Sequence, residues 1–336
     1  MYLKFYGLTE KPFSGTPDPK FLYLTPGHRE ALSQLLYAVQ ENRGFIVLTG
    51  EVGTGKTTLL RTLLQRLDGN TAVAFIFNST LSFDGILEYM LEDFGIAKTG
   101  STQAQRLIAL NNFLIERRRA GQIAVLILDE AQNLEPPTLE QVRLLSNFES
   151  PTEKLLQILL VGQPELRAKL QLPEVRQLKQ RIGLRCSIPL LTPEETSPYI
   201  RSRLRIAGAR DLGLFTDRAV ALISEYAGGI PRVINIVCDH CLLIGYADQE
   251  RKINPDIVQQ AIEYLEEGKR LPRGARAASW WRAFAPVESG VLTLMAALLG
   301  GWAVLAIHPE NLEGFPSLVA RYLFDLGRSL RDLLVR

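Results

Sequence analysis

Gly50-Glu51-Val52-Gly53-Thr54-Gly55-Lys56-Thr57 carries three glycines, a lysine and a threonine at the spacing of a Walker A phosphate loop. The apolar run Phe45-Ile46-Val47-Leu48 precedes it, and the helical pattern Leu59-Leu60-Arg61-Thr62-Leu63-Leu64 follows. Strand, glycine loop and helix form the context in which this pattern binds phosphate. Glycines let backbone N–H groups turn inward. The start of the helix adds the positive end of its dipole. Gly50 to Thr57 and the next residue, Thr58, are the candidate nucleotide-binding residues. Lys56 is placed to reach the β- and γ-phosphates, and the Thr57 hydroxyl to ligate Mg²⁺.

A second apolar run, Ile123-Ala124-Val125-Leu126-Ile127-Leu128, ends in Asp129-Glu130. An unbroken run of this kind suits a strand buried on both faces. Carboxylates at the carboxyl end of a central parallel strand sit in the crevice where ligands bind. Asp129 is the second candidate metal residue, and Glu130 the candidate base for an attacking water. The two motifs predict ATP and Mg²⁺ as ligands.

The 336 residues suffice for two compact domains. A hydrophobic content of 46% and a charged content of 22% are ordinary for a globular chain. The net charge of +2 is unevenly spread: residues 269–336 hold nine of the 38 Lys+Arg and five of the 36 Asp+Glu. The remaining body is slightly acidic, which argues against a surface that coats nucleic acid. Three cysteines are too few for a disulfide framework. Cys238-Asp239-His240-Cys241 lies within an apolar helical stretch and reads as small core residues. The N-terminus has no apolar signal-peptide region.

Residues 1–44 read as an aromatic and proline-rich loop, then a helix from about Pro26. Residues 45–190 alternate strands (45–49, 71–77, 123–128, 155–161 and 184–190) with helices, which predicts an α/β parallel sheet covered on both faces. Residues 191–268 lack strand signals and predict a helical lid, with helices near 193–208, 216–227, 231–247 and 254–267. Residues 269–286 form a basic linker bearing Trp280 and Trp281. Ser289 to Ile307 is 19 residues without a charge. With its basic and tryptophan-bearing flank, a segment at 287–307 is expected to cross a membrane once, leaving the body inside. Residues 308–336 form a short amphipathic tail.

These elements resemble the AAA+ superfamily, and more narrowly the GspA/ExeA-type ATPases of bacterial envelope systems. The resemblance rests on several stretches besides the phosphate loop: Phe5-Tyr6-Gly7-Leu8, Lys11-Pro12-Phe13-Ser14, Leu128-Asp129-Glu130-Ala131-Gln132-Asn133-Leu134, Val161-Gly162-Gln163-Pro164-Glu165-Leu166 and Gly229-Ile230-Pro231-Arg232. It implies that Gln163 is a sensor-1 residue positioning water against the γ-phosphate. It also implies that Asn78 can hold the catalytic glutamate in an inactive pose, and that Arg232 is the sensor 2 of the lid. Arg181 would be an arginine finger acting in trans, with Arg176 and Arg185 as neighbours that could serve instead. A trans finger implies a homo-oligomer, expected to be a ring.

The family resemblance implies an ATP hydrolase at the bacterial inner membrane, its body cytoplasmic, working with secretion, pilus or polysaccharide-export components. Two other readings fit the same core. One is a DNA-binding regulator resembling the MuB and TniB transposition helpers, which the acidic body and the apolar segment disfavour. The other is a nucleotide-gated membrane scaffold with little hydrolysis.

Overall fold

A computed structural model describes residues 2–15, 18–67, 69, 71–77, 81–97, 102–151 and 153–267. All of them belong to the first of two units, Met1–Leu271 and Pro272–Arg336. The expected membrane segment, the basic linker and the amphipathic tail lie outside the described residues, as does Asn78. Among the described residues no helix is long and apolar enough to cross a membrane.

Five strands, β1 (Phe45–Thr49), β2 (Thr71–Ile76), β3 (Ile123–Leu128), β4 (Leu156–Gly162) and β5 (Ile182–Ser187), form one sheet in the order β2-β3-β4-β1-β5. Every pairing is parallel. The expected strands therefore occur, β1 and β3 at their expected ends and the others within three residues of theirs. Because side chains alternate across a strand, each apolar run supplies two faces at once. Phe45, Val47, Leu126, Leu128, Ile158 and Leu160 point to one core. There they meet α4 (Phe83–Asp93), α5 (Gln103–Arg119), α6 (Pro136–Leu144) and α8 (Arg176–Arg181). Ile46, Leu48, Val125, Ile127, Leu159 and Val161 point to the opposite core, against α2 (Pro26–Gln40) and α3 (Lys56–Arg66). A short helix, α7 (Glu165–Lys169), follows β4.

The lid is α9 (Pro193–Ile206), α10 (Asp217–Ala227), α11 (Pro231–Ala247) and α12 (Pro255–Glu267). Thr192 and Thr216 cap α9 and α10 by accepting backbone N–H bonds. The N-terminal stretch, read from sequence as a loop, begins with a one-turn helix, α1 (Tyr2–Tyr6), and packs into the lid. Tyr2 donates to Asp239 Oδ1 at 2.6 Å. Phe13 meets Phe215 edge-on at 5.9 Å. Arg203 donates to the Pro12 carbonyl at 2.6 Å and lies over the Phe21 ring. Tyr2, Leu8, Phe13 and Phe21 thus complete the lid core, whereas α2 packs on the sheet. Cys238 and Cys241 are fully buried in the lid, where desolvation pushes both thiols up. No cluster of metal-ligating side chains occurs among the described residues.

Candidate nucleotide site

Sheet order decides which residues meet. β4 lies between β1 and β3, so the loop after Thr49, the acids after Leu128 and Gln163 after Gly162 emerge side by side. Gly50 N–H donates to the Gly162 carbonyl at 3.2 Å, which ties the ends of β1 and β4 together.

The phosphate loop turns through Gly53 (φ +82°) and Gly55 (φ +96°), a backbone region that disfavours side chains. α3 begins at Lys56. Lys56 is 6% exposed, and its ammonium donates to the Gly50 and Glu51 carbonyls at 2.9 and 3.0 Å. Burial lowers its pKa, with Glu130 and Asp129 acting in the opposite direction. A buried cation hydrogen-bonded to two neutral carbonyls suits an anion arriving at the loop. Thr58 lies half-buried in the first turn of α3.

Thr57 Oγ1 donates to Asp129 Oδ2 at 3.4 Å. Asp129 is 4% exposed, and desolvation raises its pKa. A hydroxyl beside a desolvated carboxylate is a hard oxygen pair, the donor chemistry that Mg²⁺ takes. Thr57 and Asp129 therefore fit the metal.

Glu130 adopts φ +54°, in the left-handed region. Such a conformation costs a non-glycine residue about 1–2 kcal/mol and recurs at functional sites. It turns the side chain toward the end of β4. Glu130 Oε2 accepts from Gln132 Nε2 at 2.7 Å and from Gln163 Nε2 at 3.3 Å. The structure thus brings Glu130 and Gln163 together, and Gln132, quoted in the motif without a role, bonds to both.

Arg232 places its main-chain N–H 3.2 Å from the Gly53 carbonyl. A Cβ on Gly53 would lie 2.6 Å from the Arg232 Cβ. The second residue of α11 is thus packed on the phosphate loop. Arg181 is elsewhere: it ends α8 and donates to Ser146 Oγ at 2.6 Å. Arg185 donates to the Lys179 carbonyl.

Sequence reasoning missed three further residues. His28 Nε2 faces the Thr54 carbonyl at 3.1 Å, supporting the phosphate loop from α2. Arg167 Nε donates to Thr49 Oγ1 at 2.8 Å. Lys169 donates to the Gln132 and Leu134 carbonyls at 2.5 and 2.8 Å. All three contacts join separate elements, which spacing along the chain does not encode. A hollow of about 470 Å³ beside α9 and α10, lined by Pro193, Val220 and Ala221 with Asp217 and Glu225, stands apart from these groups.

A phosphate loop on β1, an acidic pair on β3 and a polar end on β4, beneath a helical lid, define a P-loop NTPase of the AAA+ kind. Residues 39–170 match the family model described as an AAA domain. The chain is 39% identical over 313 residues to general secretion pathway protein A of Aeromonas hydrophila, covering 93% of this chain and 56% of that protein. It is 27% identical to an uncharacterised HTH-type transcriptional regulator of Methanocaldococcus jannaschii, covering 65% of this chain and 51% of that one. The chain therefore spans about half the length of these curated relatives.

Among solved structures, the Aeropyrum pernix ORC2 protein in its ADPNP–ADP complexes matches with a TM-score of 0.58 at 20% identity, covering 77% of this chain and 72% of that one. Cdc6p of Pyrobaculum aerophilum matches with a TM-score of 0.56 at 19% identity, covering 73% and 70%. These two likenesses show the fold. The chain belongs to the AAA+ ATPases of the GspA/ExeA type.

Proposed function

We propose that this protein binds ATP with Mg²⁺ and hydrolyses it, as a homo-oligomer anchored in the bacterial inner membrane, to drive assembly or remodelling of an envelope machine. The observation that carries the reading is the meeting of Lys56, Thr57, Asp129, Glu130 and Gln163 at three adjacent strand ends. Backbone N–H groups of the loop and Lys56 hold the β- and γ-phosphates. Thr57 and Asp129 would hold Mg²⁺, which would supply positive charge to the phosphates. Gln163 and Glu130 fix a water on the far side of the γ-phosphorus. Glu130 takes the proton of that water as its oxygen bonds to phosphorus and the β–γ bridge breaks, releasing ADP. Arg232 links the closing of the lid to the state of the phosphates.

The membrane part rests on the uncharged stretch 289–307 and its basic, tryptophan-bearing flank. The envelope part rests on the 39% identity to a protein named for general secretion.

One experiment tests the nucleotide and membrane parts together. The full chain is expressed in a bacterium, membranes are separated from soluble protein, and ATP binding and turnover are measured in each fraction. Activity should sediment with the membranes. Lys56→Ala should lower ATP affinity at least about tenfold, because it removes charge-assisted bonds worth about 1.5–3 kcal/mol. Saturable binding that ignores this substitution overturns the nucleotide reading, and full activity in the soluble fraction overturns the anchor.

A further inference from the structure

We propose that Gln132 is a positioning residue for Glu130, locking its carboxylate to the end of β4 in the pose that receives a proton from water. The inference rests on the reading of Glu130 as the base.

The hydrogen bonds orient the Gln132 amide without ambiguity. Its Oε1 accepts from the main-chain N–H of Gln163 at 3.1 Å. A backbone N–H only donates, so the carbonyl of the amide must face Gln163 and the NH₂ must face Glu130. That NH₂ donates to Glu130 Oε2 at 2.7 Å, a closer contact than the 3.3 Å from Gln163 Nε2. One amide therefore bridges the base and the main chain of the sensor strand. The backbone around it is built for this bridge. Gly162 leaves the space, since a Cβ there would lie 2.7 Å from Gln132 Oε1. Lys169 holds the turn from the other side through the Gln132 and Leu134 carbonyls.

Glu130 needs such a clamp. Its φ of +54° takes it out of the strand, so the pleat of β3 no longer directs its side chain. The Gln163 amide alone is the longer contact. A base turned away by a fraction of its reach loses part of the 10²–10⁴-fold that general-base catalysis supplies, on the order of tenfold or more.

The test is single-turnover hydrolysis of labelled ATP, together with steady-state kcat and KM, on the full chain in membranes. Gln132→Met keeps length and volume but removes both hydrogen bonds. It should lower kcat about tenfold or more and leave KM within about threefold. A second measurement separates positioning from general damage. In the Glu130→Gln background, adding Gln132→Met should cost nothing further, because the group it positions is already gone. An unchanged kcat, or a further tenfold loss in the double variant, overturns the proposal. Should Gln132→Met lose saturable ATP binding, Gln132→Asn replaces it. That amide is one methylene too short to bridge both partners and should give the same two results, with the same two failures. Wild-type turnover no greater than that of Lys56→Ala instead overturns the hydrolase reading, and this proposal with it.

Discussion

His28 concentrates the tension between burial and charge in this site. Its ring is 3% exposed at the start of α2 and bonded at both nitrogens. The Thr54 carbonyl can only accept, so Nε2 carries the hydrogen. Nδ1 is then bare and accepts from the Thr25 hydroxyl at 2.7 Å. Protonation would put a second hydrogen where that hydroxyl already points, and burial, the leading cause, lowers the pKa of His28. The sign follows. Below about pH 6.5 the unfolded chain takes up a proton that the folded chain refuses, so stability falls on acidification and rises with pH. His28→Gln removes this dependence. Thermal unfolding of the two proteins between about pH 7.5 and 5.5 should show the wild type ahead at the upper end and its lead shrinking at the lower. Parallel curves would sink the assignment.

At the scale of elements, glycines make possible one backbone approach that joins the lid to the phosphate loop and another that closes the start of the lid on α11. Arg232 meets Gly53, and Leu191 N–H donates to the Gly229 carbonyl at 2.9 Å. Gly229 sits at φ +76°, and a Cβ there would lie 2.2 Å from the Leu191 carbonyl oxygen. Gly121 has a similar φ of +72° with nothing within 4 Å of a Cβ. Gly121→Ala should therefore cost only the conformational penalty of about 1–2 kcal/mol. Gly229→Ala adds a collision with fixed backbone and should cost roughly 1–3 kcal/mol more. It should also slow ATP turnover, since α11 carries Arg232. Equal losses of stability in the two variants, measured by denaturant unfolding, would show that the approach does not hold the lid.

The same scale explains what the sequence disclosed. Unbroken apolar runs marked β1 and β3 because both faces of those strands are buried. Glycine spacing marked the phosphate loop because backbone geometry requires it. Lys169 and Gln132, or His28 and Thr54, meet only because strands and helices far apart in the chain become neighbours. No local pattern records such contacts. The N-terminal helix escaped notice because a one-turn helix draws its stability from the lid it packs on rather than from its own five residues.

Across the whole molecule, the position of Arg181 bears on assembly. β5 runs parallel to β1, with Ile182 opposite Phe45 and Ser187 opposite Thr49. Arg181 therefore stands at the amino end of the sheet, while the phosphate loop leaves the carboxyl end. A five-residue strand spans about 15 Å, farther than an arginine reaches around its own domain. If Arg181 touches a γ-phosphate, that phosphate is bound by a neighbouring copy, and each working site needs two chains. Arg181→Ala alone and Glu130→Gln alone should each bind ATP and turn it over at least about a hundredfold more slowly. Mixed and allowed to exchange, they should recover activity. A subunit with intact Glu130 then meets a neighbour with intact Arg181 at roughly a quarter of interfaces, if assembly is random in a head-to-tail ring. Turnover measured across a series of mixing ratios should peak near equal amounts. A mixture as inactive as its components at every ratio would mean that Arg181 serves no site in trans, and that the bond to Ser146 is its whole role.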